Sequence, residues 1–128
     1  MNSDGLTDIN YSNFIFLKGD MYMRQMVIAV DFDGTLCENK WPKIGEPIMH
    51  RINWMKSLRS HDNKIILWTC REGTQLDEAV VWCANHGLFF DAVNDNLEEY
   101  KKKFGGNSRK IFADCYIDDK AFYPYLND

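Results

Sequence analysis

No stretch of the sequence approaches the ~18–20 consecutive apolar residues that a membrane-spanning helix needs. The opening residues carry Asp4 and Asp8 in place of a basic segment. Their longest apolar stretch, Phe14-Ile15-Phe16-Leu17, is too short for the core of a secretory signal. The expectation is therefore a cytoplasmic chain with no membrane partner. Cysteine is sparse, and Cys37, Cys70, Cys83 and Cys115 include no Cys-x-x-Cys pair. Reduced, buried thiols are expected rather than a disulfide framework. Cys83 and His86 sit three apart and could share a helix face, but two ligands do not close a zinc site. Positive charge is not in excess: the net charge is −4, without the basic footprint of a duplex-binding protein. Repeats and low-complexity tracts are also missing.

What is present suits one globular domain. A chain of 128 residues, 45% hydrophobic and 27% charged, can bury a core without staples. Residues 1–22 show no sustained period and read as a flexible N-terminal extension, with the domain running over 23–128. Val27-Ile28-Ala29-Val30-Asp31 is continuous, apolar and β-branched, as a buried parallel strand should be. Residues 47–60 have helical spacing at Ile48, Ile52, Met55 and Leu58, with Pro47 suited to the first turn. Lys64-Ile65-Ile66-Leu67-Trp68-Thr69 reads as a second buried strand. Thr74 and Asp77 resemble an N-cap and an acidic first turn. Leu76, Val80, Cys83 and Ala84 form one face of the helix that follows, and Gly87 closes it. A short strand is predicted near Asp91–Val93, and Lys110-Ile111-Phe112-Ala113 leads into another at Cys115-Tyr116-Ile117-Asp118. Alternating strands and helices argue for an α/β domain, a Rossmann-like parallel sheet covered on both faces in three layers.

Ligands in such sheets sit beyond the carboxyl ends of the strands. Those ends carry Asp31-Phe32-Asp33-Gly34-Thr35-Leu36, Thr69, and Asp118-Asp119. If the strands are parallel, four carboxylates crowd one small volume. They cannot all stay ionised without a compensating cation. Hard oxygen donors without His or Cys select Mg²⁺. The set suits phosphoryl transfer, in which one carboxylate attacks phosphorus and a second, two residues on, moves protons. Gly34 permits the sharp turn after the strand, and Lys110 could add positive charge.

Asp31-Phe32-Asp33-Gly34-Thr35-Leu36 resembles the first motif of the haloacid-dehalogenase-like (HAD) superfamily. Thr69 resembles the second, Lys110 the third and Asp118-Asp119 the fourth. The resemblance covers about residues 26–120 and is strongest to small capless members of bacteria and phages, which share Trp68-Thr69-Cys70-Arg71-Glu72-Gly73 and Ala113-Asp114-Cys115-Tyr116-Ile117-Asp118-Asp119 in similar form. It implies a Mg²⁺-dependent phosphomonoester hydrolase with an aspartyl-phosphate on Asp31. Asp33 would be the general acid/base, with its backbone carbonyl on the metal. Thr69 would hydrogen-bond the phosphoryl group, and Lys110 would neutralise it. Asp119 is favoured as direct metal ligand, with Asp118 supporting it. Gly34, Thr35, Cys70 and Arg71 are expected on the substrate side.

Other readings stand beside these. Lys101-Lys102-Lys103 competes with Lys110 as the third motif, or is a solvated face. Arg71 and Glu72 could reach substrate or make a surface ion pair. Trp41-Pro42 could gate the site or pack, and Asn94 and Asn96 read as turn residues. A phosphotransferase or mutase of the same superfamily, or a catalytically idle binding module, are the alternatives. Only 33 residues separate Thr35 from Thr69 and 40 separate Thr69 from Lys110, so little is left for a cap. Open sites of this type take small-molecule or macromolecular phosphate esters, and some relatives use contacts between copies of the chain as a lid, which allows for a homo-oligomer.

Overall fold

The computed structural model describes residues 14–17 and 20–121. Phe14–Leu17 (β1) and Asp20–Met23 (β2) pair as an antiparallel hairpin. Part of the segment expected to be a flexible extension is thus paired strand, and the apolar patch at 14–17 was the signal for it. Residues 1–13, 18–19 and 122–128 lie outside the described residues, and so does that part of the expectation.

Val27–Val30 (β3) is buried along its whole length, as its β-branched run demands. Cys37–Lys40 (β4) and Lys43–Pro47 (β5) then form a second antiparallel hairpin. Pro47 therefore ends a strand and does not start a helix. Met49–Ser60 (α1) begins two residues later, and Ile52, Met55 and Leu58 are its buried stripe. Burying each such side chain stabilises the fold by about 1.5–3 kcal/mol. Lys64–Leu67 (β6) follows, then Gly73–Asn85 (α2), with Ala79 and Cys83 buried. The cap of α2 is Glu72, without a side-chain bond, so Thr74 is already inside the helix and is not its N-cap. Gly87 does close it, at φ +80°. Ala92–Val93 (β7), Glu98–Phe104 (α3) and Cys115–Ile117 (β8) complete the order.

β7, β6, β3 and β8 lie in that order in one parallel sheet, an architecture compatible with a Rossmann-like fold. Alternate strand residues point to opposite faces. Ile28, Val30, Ile65 and Leu67 pack with α1 and α2, while Val27, Ala29 and Ile66 pack with Leu97, Ile111 and Ala113, and with Tyr100 of α3. Helices therefore cover both faces. Lys110–Ala113 is not part of β8; Ile111 and Ala113 are buried from a non-strand segment.

The amino edge of the sheet is closed by side chains that take backbone donors. Asp91 accepts the Ile65 N–H at 2.8 Å, Asp114 accepts the Val27 N–H at 2.7 Å, and Asn63 accepts the Met26 N–H at 3.0 Å. Arg59 and Arg24 neutralise the two carboxylates. The carboxylates at the other edge have fewer cations to meet. Among the described residues no helix is long and apolar enough to cross a membrane.

Candidate functional site

β3 and β8 run parallel with Val30 beside Ile117, and the Asp31 N–H bonds the Ile117 carbonyl at 2.9 Å. The residues that follow each strand must therefore meet. Carboxylate oxygens of Asp31, Asp118 and Asp119 lie within 4.8 Å of one another. Thr35, 2% exposed, holds them in place. Its hydroxyl donates to Asp31 Oδ2 at 3.2 Å and accepts the Asp119 N–H at 3.0 Å. Gly34 turns the chain at φ +87°, and a Cβ there would collide with the Asp119 carboxylate. Gly34 and Thr35 thus shape and position the acidic cluster.

Burial, the hydrogen bond to Asp119 and the charge of Asp118 push the Asp31 carboxyl up to about 7, against the opposing bonds from Phe32 and Thr35. Burial also opposes ionisation of Asp119, but Asp31 and the Lys120 ammonium, 3.7 Å away, outweigh it and hold Asp119 below the usual carboxylate range. Three hard oxygen donors that repel one another, with no His or Cys among them, fit a divalent cation of the Mg²⁺ type.

Asp33 is not in this cluster. Its carboxylate is clasped by Arg71, with Nε on Oδ2 and Nη2 on Oδ1, both at 2.8 Å. Arg71 is 1% exposed and lies between the rings of Phe32 and Trp41, 5.1 and 5.0 Å from their centroids. Its remaining N–H groups reach the carbonyls of Lys43 (3.0 Å), Pro42 (3.3 Å) and Gln75 (3.4 Å). All five guanidinium donors are therefore used. Where a substrate contact was expected, the Arg71 donors are taken up within the protein. Arg71 ties the β4–β5 hairpin to Asp33, and its own pKa is raised chiefly by the hydrogen bonds to Asp33.

Asp31, Asp33, Thr69, Cys70, Arg71 and Asp118 line one cleft of about 380 Å³, with Asn39 and Trp41 from the hairpin and Lys120. Thr69 is brought to the cleft as expected, and its Oγ1 accepts the Arg71 N–H at 3.1 Å. Asn94 fixes this loop, accepting the Thr69 N–H at 2.8 Å and donating to the Arg71 carbonyl at 3.2 Å. Its φ of +50° is the left-handed conformation that Asn tolerates in turns, so the turn reading holds and the brace comes from its side chain. Cys70 is exposed on the cleft wall. Lys110 is not brought there: its ammonium lies over the Tyr116 ring, 5.5 Å from the centroid, and lines a separate cleft. Lys120 is the cation beside the cluster, and its place directly after Asp118-Asp119 was the available signal. Cys83 and His86 do not converge. Burial pushes the Cys83 thiol up to about 12 in the core, while His86 Nδ1 lies 2.8 Å from the Trp82 carbonyl oxygen.

Fold and site together define an α/β protein with an acidic cleft at the carboxyl edge of a parallel sheet. Among solved structures, a conserved protein from Bacteroides thetaiotaomicron is 45% identical, with a TM-score of 0.69, over 77% of this chain and 78% of that one. The chain belongs to the family of that conserved protein. No family model and no curated protein matches it.

Two outcomes follow from this geometry. Arg71→Ala leaves the Asp33 carboxylate and three carbonyls without their donors. It should cost about 3–5 kcal/mol in urea unfolding, toward the lower figure because Asp33 keeps some contact with water. Arg71→Lys should recover only part, lacking the planar fork. A loss under about 1 kcal/mol would mean that the clasp is only a surface pair. The raised carboxyl of Asp31 binds its proton more tightly folded than unfolded, so its ionisation removes stability as pH rises from about 4 to about 7. Added Mg²⁺ should therefore raise the melting temperature more at about pH 8 than at about pH 5.5, since the proton competes for the same oxygens. An equal rise at both would place the binding elsewhere.

Proposed function

We propose that the chain is a Mg²⁺-dependent phosphomonoester hydrolase of the haloacid-dehalogenase-like type, acting without a cap domain. The observation that carries this reading is the convergence of Asp31, Asp118 and Asp119 within 4.8 Å, beside a cleft also lined by Asp33 and Thr69. Asp31, Asp118 and Asp119 would hold the metal. The bound cation would neutralise charge on the transferring phosphoryl group and on the carboxylates around it.

Asp31 attacks phosphorus through one carboxylate oxygen, and the bond from phosphorus to the ester oxygen breaks. The leaving oxygen takes a proton from Asp33. Water then attacks the aspartyl-phosphate, Asp33 takes its proton, and inorganic phosphate leaves. The Arg71 fork fixes the orientation of the Asp33 carboxyl. The proton that reaches the leaving oxygen through Asp33 arrives with the substrate, bound as its monoanion. Thr69 donates its hydroxyl to a phosphoryl oxygen. Lys120, rather than Lys110, is the side-chain cation at hand for the phosphate. A cleft of about 380 Å³ flanked by a hairpin accepts a small phosphate ester or the end of a larger one.

Release of phosphate from p-nitrophenyl phosphate with Mg²⁺ or Mn²⁺ tests the reading. Asp31→Asn should fall to background. Asp33→Asn should lose about 10²–10⁴-fold in turnover and accumulate one phosphoryl group on the peptide containing Asp31, seen by rapid-quench mass spectrometry. Slow turnover without that adduct would point to direct attack by water. No turnover with any divalent metal would favour a binding module.

A further inference from the structure

On the face of the sheet away from α1 and α2, residues 96–116 line a second cleft of about 620 Å³. Its walls are aromatic. Ring centroids of Tyr100 and Phe104 are 5.8 Å apart, those of Tyr100 and Phe112 4.9 Å, and those of Phe104 and Phe112 6.1 Å. Tyr100 leans on the core, but three rings reach solvent: Phe104 is 61% exposed, and Phe112 and Tyr116 are each 38% exposed. Exposed rings gathered in one place mark a surface that meets something. Cations stand among them. The Lys103 ammonium is 5.6 Å from the Phe104 centroid and the Lys110 ammonium 5.5 Å from that of Tyr116.

Charge singles out the same segment. Residues 100–112 hold five of the chain's fifteen basic residues and no acidic one, in a chain of net charge −4. Lys101 is spent on Asp95 and Glu98. Lys102, Lys103, Arg109 and Lys110 have no ion-pair partner among the described residues. At ordinary ionic strength the acidic remainder of the surface is screened beyond about 10 Å, so the local sign governs what approaches.

The occupant must offer flat apolar faces and anions at alternating positions. Bases and phosphates of a single strand do so, and every base has a face to stack. A duplex hides those faces. A second copy docked two-fold on this surface would bring lysines against lysines. An acidic peptide would meet the cations and leave the rings in water. We propose that this face binds single-stranded nucleic acid, with bases stacked on Phe104 and Phe112 and phosphates met by Lys103, Arg109 and Lys110. The assignment is independent of the hydrolase reading.

Fluorescence anisotropy with a labelled ten-nucleotide oligo(dT) tests it on the full chain. The strand should bind at least about ten-fold more tightly than a duplex of equal length or a decaglutamate peptide. Phe104→Ala should weaken binding about five-fold or more, and Phe104→Trp should retain it. Lys103→Glu should lower the slope of log affinity against log salt by roughly 0.7. Both positions are exposed, so thermal melts should not move. Failure of the wild-type chain to bind at low salt would overturn the proposal. Unchanged binding in both Phe104→Ala and Lys103→Glu would too, as would tighter binding of the peptide. A dimer in sedimentation that Phe104→Ala dissociates would assign the face to a second copy instead.

Discussion

The parallel register of β3 and β8 brings Asp31, Asp118 and Asp119 together at one edge of the sheet, and their mutual repulsion is the constraint around which the site is built. Carboxylates at such separations cannot all carry charge without compensation. The chain supplies part of it. Thr35 bonds both halves of the cluster, Lys120 stands beside Asp119, and the Asp31 carboxyl is pushed up to about 7. Gly34 is needed because a side chain there would displace Asp119. Each feature makes sense if the cluster is kept ready for a cation, with one exposed lysine beside it, where Asp91 and Asp114 at the opposite edge are each met by an arginine.

The second organising contact is Arg71. A guanidinium buried to this degree is costly unless its donors are met, and here one carboxylate and three carbonyls meet all five. The consequence is mechanical as well as electrostatic. The hairpin that carries Asn39 and Trp41 is pinned to the first loop through Arg71, so the cleft wall and the orientation of Asp33 are set together. Asn94 extends the brace to the loop of Thr69. Two residues whose side chains face the cleft or its loop are thus supports for those beside them.

The central strands and the acidic cluster were legible because their signals are local. Val27–Val30 and Lys64–Leu67 are short β-branched runs, and parity of strand ends follows from topology. The hairpin Cys37–Pro47 was not legible. Its apolar residues Cys37, Trp41 and Ile44 show no alternation, and its stability comes from pairing and from Arg71, so Pro47 read as a helix start when it is a strand end. α3 escaped for the opposite reason: seven residues with none buried leave no apolar stripe to read. Lys110 was matched to a motif by order along the chain, but order cannot say on which face of the sheet a side chain falls. The role of Arg71 depends on partners 28 to 38 residues away, which no window of sequence contains.

The claim on which the rest turns is that the three carboxylates form one cation site. A crystal of the protein grown with Mn²⁺ and measured at the manganese absorption edge tests this directly. The account predicts one anomalous peak within about 2.0–2.3 Å of carboxylate oxygens of Asp31 and of Asp118 or Asp119. A fully occupied peak elsewhere, with the cluster empty and Asp31 turned to a protein partner, would contradict it.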